Sequence, residues 1–344
     1  MKILTDFNGA NILVLENEGN SFVVEPDMRD TDCDWFYWAF AVEGKSGETI
    51  SITFKKPVRL GRFGPAVSYD LENWEWLKAG DDMSFSYTFK ADERVYFAHN
   101  ILCPAGSFEK LGIETKTLCV SEKGRNIPYA EFGNGENTIL LTARHHCCES
   151  SGGYVLEGVA AELKESLYDD LSVIVVPYID YDGVVDGDQG KNRTPHDHNR
   201  DYTENPIYNS VRAVKELTKD KRIVYALDFH SPYYQGGRRD YPFIVHTTEE
   251  EKIVDFSKLL EEETKELPIK YTKDHDVLYG MEWNKKSEKI EKCSSYFLAR
   301  PENKLALTIE NPYFGTEEYA VSREYFHELG RLVARALLKY HKKH

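Results

Sequence analysis

The chain has 344 residues, 41% of them hydrophobic and 29% charged, enough for one large folded unit or two ordinary ones. Its 58 acidic residues against 43 basic ones give a net charge of −15, which argues against the positive footprint that nucleic-acid binding needs. No apolar run approaches the roughly 18 residues of a membrane span, Met1-Lys-Ile-Leu-Thr-Asp6 does not open a secretion signal, and six cysteines do not read as a disulfide framework. A cytoplasmic protein is expected.

Residues 1 to 105 carry short alternating segments: Ser21–Glu25, Trp35–Val42, Thr49–Phe54, Ser84–Phe89 and Val95–Ala98. Turns bearing Gly, Asp and Asn separate them, which predicts a β-sandwich. Four of the five tryptophans, Trp35, Trp38, Trp74 and Trp76, fall here. They read as sandwich core, with an aromatic binding platform as the other use of such a face.

After Cys103-Pro-Ala-Gly106 the rhythm changes and apolar strand runs alternate with helical repeats. Strands are predicted at Thr138–Thr142, Leu171–Pro177, Arg222–Phe229, Tyr241–Val245 and Leu305–Ile309. Helices are predicted after Ser151-Gly-Gly, with Val155, Val159 and Leu163 on one face; over Ile207 to Leu217; over Ile253–Leu260; and at the C-terminus, through Leu329, Leu332, Val333 and Leu337. This predicts an α/β protein in which an N-terminal β-sandwich (1–105) precedes an α/β/α domain (106–344) with a mixed central sheet.

His146-Cys-Cys-Glu149 is the segment richest in chemistry. It follows one predicted strand and precedes a helix, while His230 and Glu310 each end a later strand. Polar residues at such strand ends gather at one rim of an α/β sheet. Two imidazoles and a carboxylate hold Zn²⁺ with a position left open, and a further carboxylate can deprotonate water there. A second match, His246-Thr-Thr-Glu249, lacks comparable neighbours. Between Glu149 and His230 lies Lys191-Asn-Arg-Thr-Pro-His-Asp-His-Asn-Arg-Asp201. Asp197 can orient a zinc-bound histidine. Arg193, Asn199 and Arg200 offer donors for a carboxylate or an oxyanion.

Arg144-x-His146-x-x-Glu149, Asp182-Gly-Val184, Asp197-x-Asn-Arg200, Asp228-x-His230 and Thr308-Ile-Glu310, in this order, resemble the zinc carboxypeptidases of the M14 metallopeptidase family. The ending Thr308-Ile-Glu-Asn-Pro-Tyr-Phe-Gly315 and the β-rich N-terminal half look most like its cytosolic carboxypeptidase subgroup, whose eukaryotic members trim glutamate from protein tails. The resemblance implies one zinc ion on His146, Glu149 and His230, with Glu310 as general base and then proton donor. It implies Arg193 at the oxyanion, Asn199 and Arg200 on the substrate's terminal carboxylate, Asp197 behind His146, and a mobile tyrosine over the substrate, here Tyr279. Two departures stand out: Cys147-Cys148 inside the ligand motif, and Asp180-Tyr181 where Asn-Pro is usual.

The expected activity is hydrolysis of a C-terminal peptide or isopeptide-like bond, with a peptide or protein C-terminus as partner. Two other readings use the same residues: a zinc deacylase or amidase acting on N-acyl amino acids or cell-wall peptides, and an inactive zinc-retaining module that binds through the tryptophan-rich sandwich. A basic residue such as Lys292 or Arg300 would suit an acidic side chain in the pocket. Asp180, Asp182, Asp186 and Asp188 read as a solvated acidic turn, because Lys191 stands where a calcium loop needs Glu.

Overall fold

A computed structural model describes residues 1–344 apart from 79, 249, 250, 287 and 288. The first nine strands are β1 (Ile3–Leu4), β2 (Leu13–Glu18), β3 (Ser21–Glu25), β4 (Ala39–Gly44), β5 (Thr49–Phe54), β6 (Ala66–Ser68), β7 (Trp74–Trp76), β8 (Ser84–Thr88) and β9 (Glu93–Ala98). They form a five-stranded sheet, β1-β4-β9-β6-β7, and a four-stranded one, β2-β3-β5-β8. Alternation places Ile50, Ile52 and Phe54 of β5 inward, where they meet Phe40 and Val42 of β4 and Phe97 of β9 in one core.

The run expected as a strand from Trp35 begins only at Ala39. Its aromatic residues are divided between two cores, which a regular strand in one sandwich would not allow. Trp38 enters the sandwich, where its Nε1 donates to the Arg59 carbonyl at 2.6 Å. Trp35, Phe36 and Tyr37 instead pack against Cys148, Tyr313 and Phe314 of the C-terminal half. Trp76 also turns that way and donates Nε1 to the Val321 carbonyl at 2.8 Å. Trp35, Trp38 and Trp76 are thus engaged in packing.

Seven further strands make the central sheet: β10 (Thr115–Val120), β11 (Asn126–Gly133), β12 (Asn137–Ala143), β13 (Leu171–Val176), β14 (Arg222–His230), β15 (Phe243–Val245) and β16 (Leu305–Glu310). The order is β10-β11-β13-β12-β14-β16-β15. The pairs β13/β12, β12/β14 and β14/β16 are parallel, whereas the outer pairs are antiparallel. The sheet is therefore mixed, as expected.

Helices α1 (Ser150–Ser166), α2 (Tyr181–Asp186), α3 (Asn209–Thr218), α4 (Glu251–Thr264), α5 (Cys293–Leu298) and α6 (Arg323–Lys343) surround it. Ile139 and Leu141 point to the face covered by α1, α4 and α6, while Leu140 between them points to α3 and α5. The α1/α6 contact is close because Gly158 and Gly330 meet there: a Cβ on Gly330 would lie 2.2 Å from the Val155 carbonyl oxygen. Helix α3 starts two residues after the predicted Ile207, since the Asp201 carboxylate holds the N–H groups of Ile207 and Tyr208 in a turn. No described helix is long and apolar enough to cross a membrane.

Candidate metal centre and cleft

The parallel register sets the site. β14 ends at His230 and β16 at Glu310, and these two residues are direct partners across the sheet. β12 ends at Ala143, and the chain turns through Arg144 at φ +59° before α1 begins at Ser150. The buried Arg144 guanidinium braces this turn by donating to the carbonyls of Cys147 and Cys103. Gly190, at φ +74°, lets the loop between α2 and α3 press onto the same turn, because a Cβ there would lie 2.4 Å from the Cys147 nitrogen. His146 and Glu149 are thereby fixed beside the end of β14.

His146 Nδ1 lies 2.9 Å from Glu149 Oε1, His230 Nδ1 lies 2.7 Å from Glu149 Oε2, and the two Nδ1 atoms are 3.2 Å apart. All three side chains are buried. Tetrahedral bonds of about 2.0–2.1 Å put donor atoms roughly 3.3 Å apart. Two imidazole nitrogens facing each other beside a carboxylate call for a shared cation, so the residues fit one zinc ion. The second histidine match does not form such a set: His246 pairs with Asp276 at 3.0 Å, and Glu249 lies outside the described residues.

Behind the ligands, His230 Nε2 donates to Asp228 Oδ2 at 2.8 Å. The other Asp228 oxygen accepts from Thr142 Oγ1 and His145 Nδ1, each at 2.8 Å, and His145 Nε2 pairs with the Tyr202 hydroxyl. His145, Asp228 and His230 also cluster as possible ligands, but these bonds make His145 and Asp228 a support for His230. Burial opposes the charge of Asp228, yet His145 and His230 hold its carboxyl well below the usual range. Asp197 lies near His146, its Oδ1 3.6 Å from Nε2, and that oxygen accepts the Asn199 backbone N–H at 3.0 Å.

A cleft of about 280 Å³ opens over His146 and His230, bordered by Lys191, Arg200, Tyr279 and Glu310. Glu310 Oε2 is buried without a hydrogen-bond partner among the described residues. Burial, reinforced by Glu149 and opposed by His230, raises the Glu310 carboxyl to about 7. Asn199 also lines the cleft; its Oδ1 accepts the Cys293 N–H at 3.0 Å and its Nδ2 lies 3.3 Å from His230 Nε2. Arg200 donates to the Asn199 carbonyl at 2.8 Å and borders both this cleft and a second limb of about 390 Å³.

Arg193 does not reach the cleft. Its guanidinium is held by Asp30 at 3.0 Å, Asp180 at 2.8 Å and Asp188 at 3.1 Å, on the far side of its loop. The cation facing the ligands is Lys191, whose Nζ is 3.3 Å from Glu149 Oε1 and 3.2 Å from His146 Nδ1. Burial weakens its charge, but Glu149, Glu310 and Asp197 more than restore it. Sequence reasoning missed this placement because nothing local tells which side of an irregular loop faces inward.

The same ion pairs correct the acidic-turn reading. Asp180 and Asp188 are buried on Arg193, and Asp182 and Asp186 are paired with Arg125. Arg300 is also displaced from the pocket, since it donates to the carbonyls of Thr218, the last residue of α3, and Lys221 just after it; Lys292 does border the cleft. Cys147 and Cys148 are buried thiols whose pKa values burial raises, that of Cys148 to about 12, and Cys147 Sγ donates to the Asp188 carbonyl at 3.0 Å.

No family model matches the chain. An uncharacterized protein of Zymomonas mobilis is 23% identical over 346 residues, covering 91% of this chain and 88% of that one. A metallo-carboxypeptidase from Burkholderia cenocepacia superposes with a TM-score of 0.81 at 18% identity, covering 99% of both chains. One from Pseudomonas aeruginosa, in complex with (2-guanidinoethylmercapto)succinic acid, gives 0.79 at 18% identity over the whole of both chains. Carboxypeptidase A from Helicoverpa armigera gives 0.52 at 13% identity, covering 70% of this chain and 73% of that one. The chain has the metallo-carboxypeptidase fold, and its likeness to the bacterial structures includes the N-terminal sheets.

Proposed function

We propose that the protein is a zinc metallocarboxypeptidase that hydrolyses a C-terminal peptide or isopeptide-like bond, nearest the cytosolic carboxypeptidase subgroup and working in the cytoplasm. The observation that carries this reading is the convergence of three donor atoms on His146, Glu149 and His230, with Glu310 in register beside them. The division into a sandwich domain (1–105) and a catalytic domain (106–344) belongs to the same reading, supported by the sandwich's own core, while a second core around Phe36 and Tyr313 joins the two.

His146, Glu149 and His230 would hold the ion. When bound, zinc polarises a carbonyl and makes hydroxide available near neutral pH. Glu310 takes the proton of the attacking water and returns it to the leaving amine; its unpartnered oxygen and raised pKa suit both transfers. Lys191, in place of Arg193, supplies positive charge to the oxyanion developing on the scissile carbonyl. Arg200 binds the terminal carboxylate, Asn199 supports it, and Tyr279 covers the substrate from the cleft wall. Asp228 and Asp197 orient the two histidines.

The test is mass spectrometry of peptides incubated with the zinc-loaded protein, with free or amidated C-termini and a chelator control. Free peptides should shorten from the C-terminus and amidated ones should resist. Glu310→Gln should keep zinc and lose about 10²–10⁴-fold in turnover. Parental turnover by that variant, or equal cleavage of amidated peptides, contradicts the proposal.

A further inference from the structure

The loop that carries Lys191 is built on the N-terminal half. Asp30 accepts the N–H groups of Gln189 and Gly190 at 2.9 and 2.8 Å, and Arg193 Nε at 3.0 Å. The Gln189 side chain is clamped in turn: its Oε1 accepts the Tyr37 N–H at 3.0 Å and its Nε2 donates to the Tyr37 carbonyl at 2.8 Å. Two residues earlier, the Trp35 ring lies 5.3 Å from Lys191 Nζ. That ring is only 9% exposed, stacked on Phe36 and edge-on to Tyr233, so it cannot turn aside without disturbing both. Trp35 also borders the second limb of the cleft together with Lys191 and Glu310.

We propose that Asp30 and Trp35 are positioning residues for the reaction, acting through Lys191. Asp30 fixes the backbone of residues 189 and 190, and Trp35 holds the ammonium over the ligand side chains through its ring face. The N-terminal half is thus part of the active site. This inference rests on the carboxypeptidase reading only for its kinetic consequence, because the placement of Lys191 can be measured without substrate.

The experiment uses the full chain and the variants Trp35→Phe, Trp35→Leu and Asp30→Asn, each compared with the parent by thermal unfolding. A lysine-acylating ester is applied briefly, and peptide mass spectrometry measures labelling of Lys191 against the exposed Lys116 of β10. Labelling of Lys191 should rise several-fold in Trp35→Leu and Asp30→Asn, remain parental in Trp35→Phe, and leave Lys116 unchanged. In peptide cleavage, Trp35→Leu should lower kcat about tenfold with little change in KM, as removal of a desolvated cation–π contact predicts, and should add no loss on a Lys191→Met background.

Parental labelling in both Trp35→Leu and Asp30→Asn overturns the inference. So does an equal kcat loss from Trp35→Leu with and without Lys191. An active Glu310→Gln enzyme would defeat the functional reading while leaving the labelling result to decide this one.

Discussion

Asp228→Asn isolates what the tertiary structure adds to the metal site. For His230 Nδ1 to bind zinc, Nε2 must carry the proton, and Asp228 accepts that N–H at 2.8 Å. The other carboxylate oxygen already accepts from Thr142 and His145. An amide of the same shape must therefore present an NH₂ group to donors on one side, and it also loses the negative charge that makes the imidazole more basic. Loss of such a partner costs 10–100-fold in metal affinity, or about 1.4–2.7 kcal/mol. Asp197 stands 3.6 Å from His146 Nε2, beyond hydrogen-bond length, so Asp197→Asn should cost less than tenfold. Zinc affinity is measured by competition with a chromophoric chelator near pH 7.5, after circular dichroism shows both variants folded. An Asp228→Asn affinity within twofold of the parent, or a larger loss from Asp197→Asn, refutes the reasoning.

Arg193→Met should act on stability. It leaves Asp30 and Asp180 without their guanidinium, whereas Asp188 keeps that of Arg29, a loss of about 3–5 kcal/mol, visible in urea unfolding; a full-stability variant with lost turnover would return Arg193 to the reaction. His99 should make stability depend on pH. It is buried beside Phe36 and Phe314, and burial lowers its pKa to about 3 against 6.5 for the free side chain. Between those values the unfolded chain binds the extra proton, so stability is complete above pH 6.5 and falls as the solution is acidified. About 2 kcal/mol should be lost at pH 5 relative to pH 8, and His99→Phe should remove that increment. Unfolding curves whose pH dependence is the same in parent and variant contradict this assignment.

Much of the fold is legible because its signals are local. Period-two alternation in Thr49–Phe54 and the repeat of Val155, Val159 and Leu163 report which face each element buries whatever lies opposite. The hairpin of β10 and β11 escaped that reading, since charged residues interrupt its pattern on an edge of the sheet. The proposed metal ligands are legible for a related reason: His230 ends one strand run, His146 and Glu149 follow the end of another, and adjacent parallel strands bring such ends together.

Irregular segments carry no such period, and their outcome depended on contacts distant in sequence. Asp30, 163 residues before Arg193, draws that guanidinium out of the cleft, and its hold on residues 189 and 190 leaves Lys191 facing inward. Arg300 turned to the carbonyls that end α3, away from the pocket its sequence neighbours line. By itself the sequence determined the strongly periodic elements and the strand ends that carry the proposed ligands. Only the tertiary structure decided which charge on each loop faces the cleft, because a long charged side chain follows the nearest buried counter-charge or carbonyl, and that partner comes from elsewhere in the chain.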